Sequence, residues 1–297
     1  CIRDSNWNMG MTYRLRERDE RVYPQGELAR RTIGLTGDRG NYGIEAVYRE
    51  ELAGRDGRAT RQRIARGFYG RVVDGDNIDP IDGLDVVTTL DLDVQDVANR
   101  YLREQLEAQN AIWGTTIVME VRTGEILALV NLGRTPGGGY AERENYAIGR
   151  NTEPGSTFKL ASMLLLLDDA DMPLDQTYDT GNGRVVKVGG IRVQDSHAGF
   201  NDMDFRTAVA QSSNVYFAKA IWERYADNKE RYSDFMKKLH LDQTVGLEAF
   251  GEKKPLFQDW KEVPDPNSML VRRSFGYRIK LSPVSYTHLT LPTNSRV

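Results

Sequence analysis

Residues 156–168 read Ser-Thr-Phe-Lys-Leu-Ala-Ser-Met-Leu-Leu-Leu-Leu-Asp, with Pro154-Gly155 directly ahead of them. The Pro-Gly pair punctuates the chain, and the run behind it is predicted as a helix that is apolar nearly all round. Such a helix has no side to give to water, so it must be central and buried, with the rest of the chain built around it. The chain has the means. At 297 residues, 39% of them hydrophobic, it can bury a sizeable core and is long enough for two domains. The longest tight apolar stretch, residues 161–167, falls far short of the ~18 residues that read as a membrane span.

Charge and cysteine usage remove further classes. Forty basic against 43 acidic side chains give a net charge of −3, so no strong field attracts nucleic acid. The single cysteine, Cys1, excludes an internal disulfide framework and a Cys-rich zinc site. His197, His240 and His288 stand at no metal-ligand spacing. An opening Cys fits a cleaved lipoprotein or the edge of a fragment. No signal peptide is visible, and one further upstream stays open.

The texture of the chain changes near residue 85. Residues 1–84 are polar, and the dense charge run 14–21 reads as a solvated face or loop. Glycines at 34, 37, 40, 43, 54, 57, 67, 70, 75 and 83 suit a small accessory module of short strands and turns. One short helix is expected over 44–52, with Val47, Tyr48 and Leu52 on one face. Residues 85–90 are β-branched and predicted as a strand. Asp91 or Asp93 then caps a helix whose apolar positions are Val94, Val97, Ala98, Tyr101, Leu102 and Leu106. Residues 115–131 predict a hairpin turning at Arg122-Thr123-Gly124, with both arms apolar on both faces and hence covered inside a sheet. Gly137-Gly138-Gly139 marks a loop. Residues 181–199 read as strands and turns, and 205–211 and 215–224 as helices. The expected fold class is mixed α+β: a domain over 85–284 in which a sheet and outer helices surround the buried helix.

Two features carry chemistry. Ser156 and Lys159 stand three apart at the start of the buried helix, so their side chains share a face. A serine hydroxyl is a poor nucleophile until a base takes its proton, and a lysine serves where desolvation or neighbouring cations lower its pKa. Phe158, Leu160, Ala161, Met163 and four leucines supply that setting. The helix N-terminus also offers free backbone N–H groups for an oxyanion. Taken alone, Ser-x-x-Lys arises by chance about once in such a chain. Ser212-Ser213-Asn214, between two predicted helices, is by itself an ordinary turn or cap. Its hydroxyl and amide are nevertheless suited to relay protons to the lysine and to bind a substrate carbonyl. The value lies in the combination.

Pro154-Gly155-Ser156-Thr157-Phe158-Lys159 followed by Gln211-Ser212-Ser213-Asn214 resembles the first two boxes of the penicillin-binding protein transpeptidases. Other segments resemble the class B members, the monofunctional cell-wall transpeptidases of the elongation and division machineries. Gly40-Asn41-Tyr42-Gly43-Ile44-Glu45, Tyr48, Leu52 and Gly54-Arg55-Asp56-Gly57 are similar to the signature of their N-terminal pedestal, or dimerisation, domain. Asp179-Thr180-Gly181-Asn182-Gly183, Asp195-Ser196-His197 and Ser274-Phe275-Gly276-Tyr277 with Ser282-Pro283 follow the order of their catalytic domain. The resemblance covers most of the chain, from Tyr23 to Pro283.

That resemblance implies a mechanism. Ser156 attacks the penultimate D-Ala carbonyl of a peptidoglycan stem peptide, with Lys159 as the base. Ser212 and Asn214 assist proton transfer and substrate binding, and Ser213 binds substrate. An amine of a neighbouring stem peptide resolves the acyl-enzyme into a cross-link, whereas a β-lactam mimics D-Ala-D-Ala and stays on Ser156. No metal or organic cofactor and no nucleic acid is implied. The implied setting is the bacterial inner membrane, single-pass, with the catalytic domain periplasmic or extracellular and machinery proteins as partners.

The pattern breaks towards the end of the chain. The family's third box, Lys-Thr-Gly or Lys-Ser-Gly on an edge strand, binds the substrate carboxylate and supplies the second oxyanion N–H, and no such tripeptide follows Pro283. Residues 285–297 do not resemble the family. The expectation is a non-native tail on a truncated coding sequence, with the anchor and more of the pedestal missing in front. Such a chain should react with penicillin far more slowly than its full-length parent, because one oxyanion donor is worth on the order of 10²–10³ in rate. Rival readings are a catalytically incompetent cell-wall scaffold or pseudogene product, a serine β-lactamase, a β-lactam sensor and a D,D-carboxypeptidase. Class A lactamases carry Ser-Asp-Asn where Ser213 stands here. A nucleotide-binding protein is disfavoured, since there is no Walker A sequence and no Gly-x-Gly-x-x-Gly after a strand.

Overall fold

A computed structural model describes residues 21–37, 40–58, 61–65, 68–71 and 77–289. Cys1 and all of the 14–21 charge run except Arg21 lie outside the described residues, as do residues 290–297. The chain begins with short helices α1 (Arg30–Ile33), α2 (Gly43–Val47) and α3 (Arg49–Ala53), then an antiparallel pair, β1 (Arg61–Ala65) and β2 (Phe68–Arg71). The helix expected over 44–52 is thus two helices, because Tyr48 leaves helical geometry at φ −95°, ψ 27°. Helix α4 (Leu92–Ala108) leads into β3 (Trp113–Met119), β4 (Ile126–Arg134), β5 (Tyr140–Ala141) and α5 (Tyr146–Gly149). A 3-10 turn (Gly155–Phe158), α6 (Lys159–Leu164) and a π turn (Leu165–Asp169) form the next continuous helical rod. Short strands β6 (Tyr178–Asp179), β7 (Val186–Val188), β8 (Ile191–Val193) and β9 (Asp202–Met203) follow. Helices α7 (Phe205–Ala210), α8 (Asn214–Tyr225), α9 (Lys229–Lys238), α10 (Pro266–Arg273) and α11 (Pro283–Leu289) complete the described chain.

The antiparallel sheet β3-β4-β5 turns at Arg122-Thr123-Gly124 as expected, with Trp113 opposite Gly133 and Thr116 opposite Val130. Its two long arms differ in burial. Strand β4 is buried over 128–133, whereas β3 is only half-buried along its length. Helix α4 covers one face of β4 through Ala98, Leu102 and Leu106 against Val130 and Leu132. Leu129 on the other face packs with Ala147, Ile148 and Val284. Strand β3 has no strand beyond it among the described residues, so the expectation that both arms are covered holds for β4 alone.

Residues 85–90 are not a strand. β-Branched composition favours extended backbone, but a strand also needs a partner's ladder. Here the segment only touches β4 in passing: Thr89 Oγ1 donates to Ile126 O at 2.7 Å and Asp91 N to Leu127 O at 2.9 Å, while Val87 is 95% exposed. Asp91 caps α4, accepting from Asp93 N and Val94 N. The buried face of that helix also differs from the expected one, for Val97 and Tyr101 face solvent and Gln95 is fully buried. The Gln95 amide donates to Leu129 O at 3.2 Å and accepts from Leu129 N at 2.8 Å. It thereby satisfies the open edge of β4 as a neighbouring strand would.

The helix rod starting at Ser156 is buried through Phe158, Ala161, Leu165 and Leu166, and it shares the centre with α8. Val215, Tyr216, Phe217, Ala218, Ala220, Ile221 and Tyr225 of α8 are all buried. The larger of these, such as Val215, Phe217 and Ile221, contribute roughly 1.5–3 kcal/mol each. The rod is exposed at both ends of 156–168, at Ser156 and Thr157 and again at Leu167 and Asp168. The N-terminal helices dock on the sheet domain through Arg31 N to Glu142 Oε2 (2.8 Å), Thr32 Oγ1 to Leu129 O (3.2 Å) and Phe250 N to Gly43 O (3.1 Å). Helix α11 runs across the expected boundary at 284/285, with Val284, Ser285 and Leu289 buried. Among the described residues no helix is long and apolar enough to cross a membrane.

Candidate active site

Two glycines set the entry to the site. Gly155, at φ +59°, donates its N–H to Gly276 O at 3.0 Å, and Gly276 itself has φ +89°. A Cβ on Gly276 would lie 1.9 Å from Gly155 O, so only glycine permits this approach. The strand-like bridge between Thr152 and Leu281 continues the contact, and Ser162 Oγ donates to Ser274 O at 2.8 Å. Residues 274–281 therefore clamp the turn that presents Ser156.

Ser156 is exposed and Lys159, one turn on, is 4% exposed. Their spacing along the 3-10 turn brings Lys159 Nζ to 3.3 Å from Ser156 Oγ. The other partners come from the turn between α7 and α8. Ser212 takes a left-handed conformation (φ +51°), which directs both its oxygens at the lysine. Nζ lies 2.9 Å from Ser212 Oγ, 2.5 Å from Ser212 O and 2.8 Å from Asn214 Oδ1. Four oxygens thus surround a nitrogen that has at most three N–H bonds. The Ser156 contact is the longest. It is the one able to reverse, with the hydroxyl donating to the amine lone pair once Lys159 is neutral. Burial brings that neutral form within reach, lowering the Lys159 pKa to about 8, while the Asp195 carboxylate partly holds it up.

The structure brings together Ser156, Lys159, Ser212 and Asn214 and sets Ser213 apart. Expected as a substrate contact, Ser213 is 1% exposed beneath the site. Its hydroxyl donates to Asp195 Oδ2 at 2.7 Å and accepts from Tyr216 N at 3.0 Å as the N-cap of α8. Those two bonds tie it into the support of the loop, on the side away from Lys159. Asp195 was absent from the expected site residues. The only signal for it was its place in Asp195-Ser196-His197, which gave no role. Among the described residues no group of three or more His, Cys, Asp or Glu side chains is placed to hold a metal ion.

This architecture is that of the penicillin-binding protein transpeptidase domain. The chain belongs to that family: the penicillin binding protein transpeptidase domain matches residues 114–290. Its relatives are class B members. It is 31% identical over 286 residues to the probable peptidoglycan D,D-transpeptidase PenA of Neisseria gonorrhoeae, covering 91% of this chain and 47% of that protein. It is 26% identical over 285 residues to the peptidoglycan D,D-transpeptidase FtsI of Escherichia coli, covering 91% of this chain and 45% of that one. The crystal structure of a peptidoglycan synthetase from Bifidobacterium adolescentis superposes with a TM-score of 0.74 at 25% identity, over 92% of this chain and 50% of that one. The chain spans about half the length of the curated relatives it matches.

Proposed function

We propose that the protein is a peptidoglycan D,D-transpeptidase working through an acyl-enzyme on Ser156. The observation that carries the proposal is the buried Lys159 nitrogen within 3.3 Å of Ser156 Oγ and 2.9 Å of Ser212 Oγ. One base is thereby in reach of both the nucleophile and a hydroxyl that can pass its proton on. Lys159 accepts the Ser156 proton as Oγ bonds the carbonyl carbon of the penultimate D-Ala. The tetrahedral centre collapses, the C–N bond to the terminal D-Ala breaks, and the proton travels through Ser212 Oγ to the leaving nitrogen. A neighbouring stem peptide's amine then attacks the ester, gives its proton back to the relay and frees Ser156. With a β-lactam the broken C–N bond lies in the ring. The leaving amine stays tethered, and the ester persists.

The names of the relatives, peptidoglycan D,D-transpeptidases, support the same substrate class. The proposal extends to the setting that substrate requires: the outer side of a bacterial inner membrane, beside elongation or division proteins. It also keeps residues 1–84 as part of a pedestal and 85–284 as part of the transpeptidase domain. The test is a reaction of the purified protein with a D-Ala-D-Ala stem peptide, with and without an acceptor amine. Release of D-Ala together with a cross-linked amide, both lost in Ser156→Ala, is expected. Release without any amide product makes the protein a carboxypeptidase, and sustained hydrolysis of a chromogenic cephalosporin makes it a lactamase. No reaction at all leaves the scaffold reading.

A further inference from the structure

We propose that Asp195 is a positioning residue for acylation, a buried carboxylate that locks the loop of residues 212–214 against Lys159 and acts as the lysine's counter-charge. The inference rests on the acyl-enzyme reading above and assigns to that site a group outside its expected residues.

Asp195 is 9% exposed, and both of its oxygens are engaged. Oδ2 accepts from Ser213 Oγ at 2.7 Å and Oδ1 from Val215 N at 2.9 Å. These partners are the two neighbours of Asn214, so one carboxylate grips the chain on either side of that residue. The residue before Asp195 completes the grip, since Gln194 O accepts from Asn214 Nδ2 at 3.1 Å. A carbonyl there can only pair with the NH₂ end of the amide. Asn214 Oδ1 is therefore left facing Lys159 Nζ at 2.8 Å, the orientation an ammonium needs. A flipped amide would point its NH₂ group at the lysine and lose both contacts.

The charge is also placed to act. A carboxylate this buried is costly without compensation. Both hydrogen-bond partners of Asp195 are neutral, and among the described residues it forms no ion pair. The groups that face Lys159 from the surrounding elements are Ser156, Ser212, Asn214 and the ring of Phe217, all of them neutral. Asp195 is the charge that acts on the lysine, opposing burial by favouring the ammonium. Removing it makes the neutral amine available at lower pH.

The experiment measures the second-order rate of Ser156 acylation by a fluorescent penicillin from pH 6 to 10, for the wild type, Asp195→Asn and Ser213→Ala. In Asp195→Asn the rising limb is expected to move to lower pH. Its plateau is expected to fall by roughly tenfold as the loop loses its lock. In Ser213→Ala the carboxylate remains, so the limb stays in place while the rate drops severalfold. A folded Asp195→Asn with an unmoved limb overturns the proposal, because a merely structural aspartate would lower stability alone. Should Asp195→Asn fail to fold, Ser213→Ala decides, and acylation at the wild-type rate overturns it. If the wild type forms no Ser156-dependent adduct, the acyl-enzyme reading itself has failed, an outcome distinct from either of these.

Discussion

At the residue scale the site turns on how Lys159 is buried. Its nitrogen is ringed by oxygens from Ser156, Ser212 and Asn214, and no carboxylate lies in contact with it. A contact carboxylate would fix the ammonium, whereas the neutral oxygens leave burial to favour the free amine. Acylation should accordingly rise with pH through about 8, the value to which burial lowers this lysine. Lys159→Ala should lose about 10²–10⁴ in acylation rate. Its melting temperature should not fall in step, since the cost of burying the ammonium goes together with its hydrogen bonds to Ser212 and Asn214. Stopped-flow acylation and thermal melts check the pair. Ser156 and Lys159 were legible because a spacing of three places two side chains on one helix face. Ser212 and Asn214 followed from their box. The burial of Ser213 was not legible, because adjacent serines look alike in sequence, whereas the left-handed turn at Ser212 exposes one hydroxyl and buries the next. The hold of Asp195 on Ser213 spans 18 residues and exists only in the folded chain.

Elements position these residues through a few contacts that side-chain chemistry makes unusually sensitive. Gly276→Ala would place a Cβ 1.9 Å from Gly155 O and force apart the turn before Ser156. Acylation should fall by at least tenfold, and the variant should be less stable by roughly 1–3 kcal/mol, as for other strained backbone sites. Gln95→Ala removes the amide that serves both backbone groups of Leu129; the carbonyl keeps the Thr32 hydroxyl, but the N–H is left buried without its partner. It should cost about 1–3 kcal/mol, read as a lower urea midpoint with unchanged slope. The cap at Asp91, the hairpin turn at 122–124 and the helices flanking residues 212–214 could be read from local chemistry. The status of 85–90 could not, for a strand is defined by a partner and these residues have only scattered contacts with β4. Periodicity likewise chose Val97 and Tyr101 for the inner face of α4, where the edge of β4 instead selects the polar Gln95.

Across the whole molecule, the N-terminal helices meet the sheet domain at a carboxylate that titrates near neutrality. Glu142 accepts from Arg31 N at 2.8 Å, and burial raises its pKa from 4.5 to about 7 against the lowering effect of the Arg31 and Asn131 backbone donors. A carboxyl raised on folding favours the protonated native state. Its stabilising contribution is complete below 4.5 and is lost as the pH climbs through about 7. Glu142→Gln should therefore raise the melting temperature at pH 8 more than at pH 4.5, and an unchanged difference between the two conditions would contradict the assignment. The architecture as a whole was foreshadowed by one helix with no polar face, and it is indeed central, although α8 shares that place. The measurement that bears most directly on the account is peptide mapping by mass spectrometry after incubation with benzylpenicillin. The account predicts one adduct carrying the whole drug, on the peptide that holds Ser156, and none in Ser156→Ala. An adduct that survives the substitution, or a wild type that gains none, would contradict it.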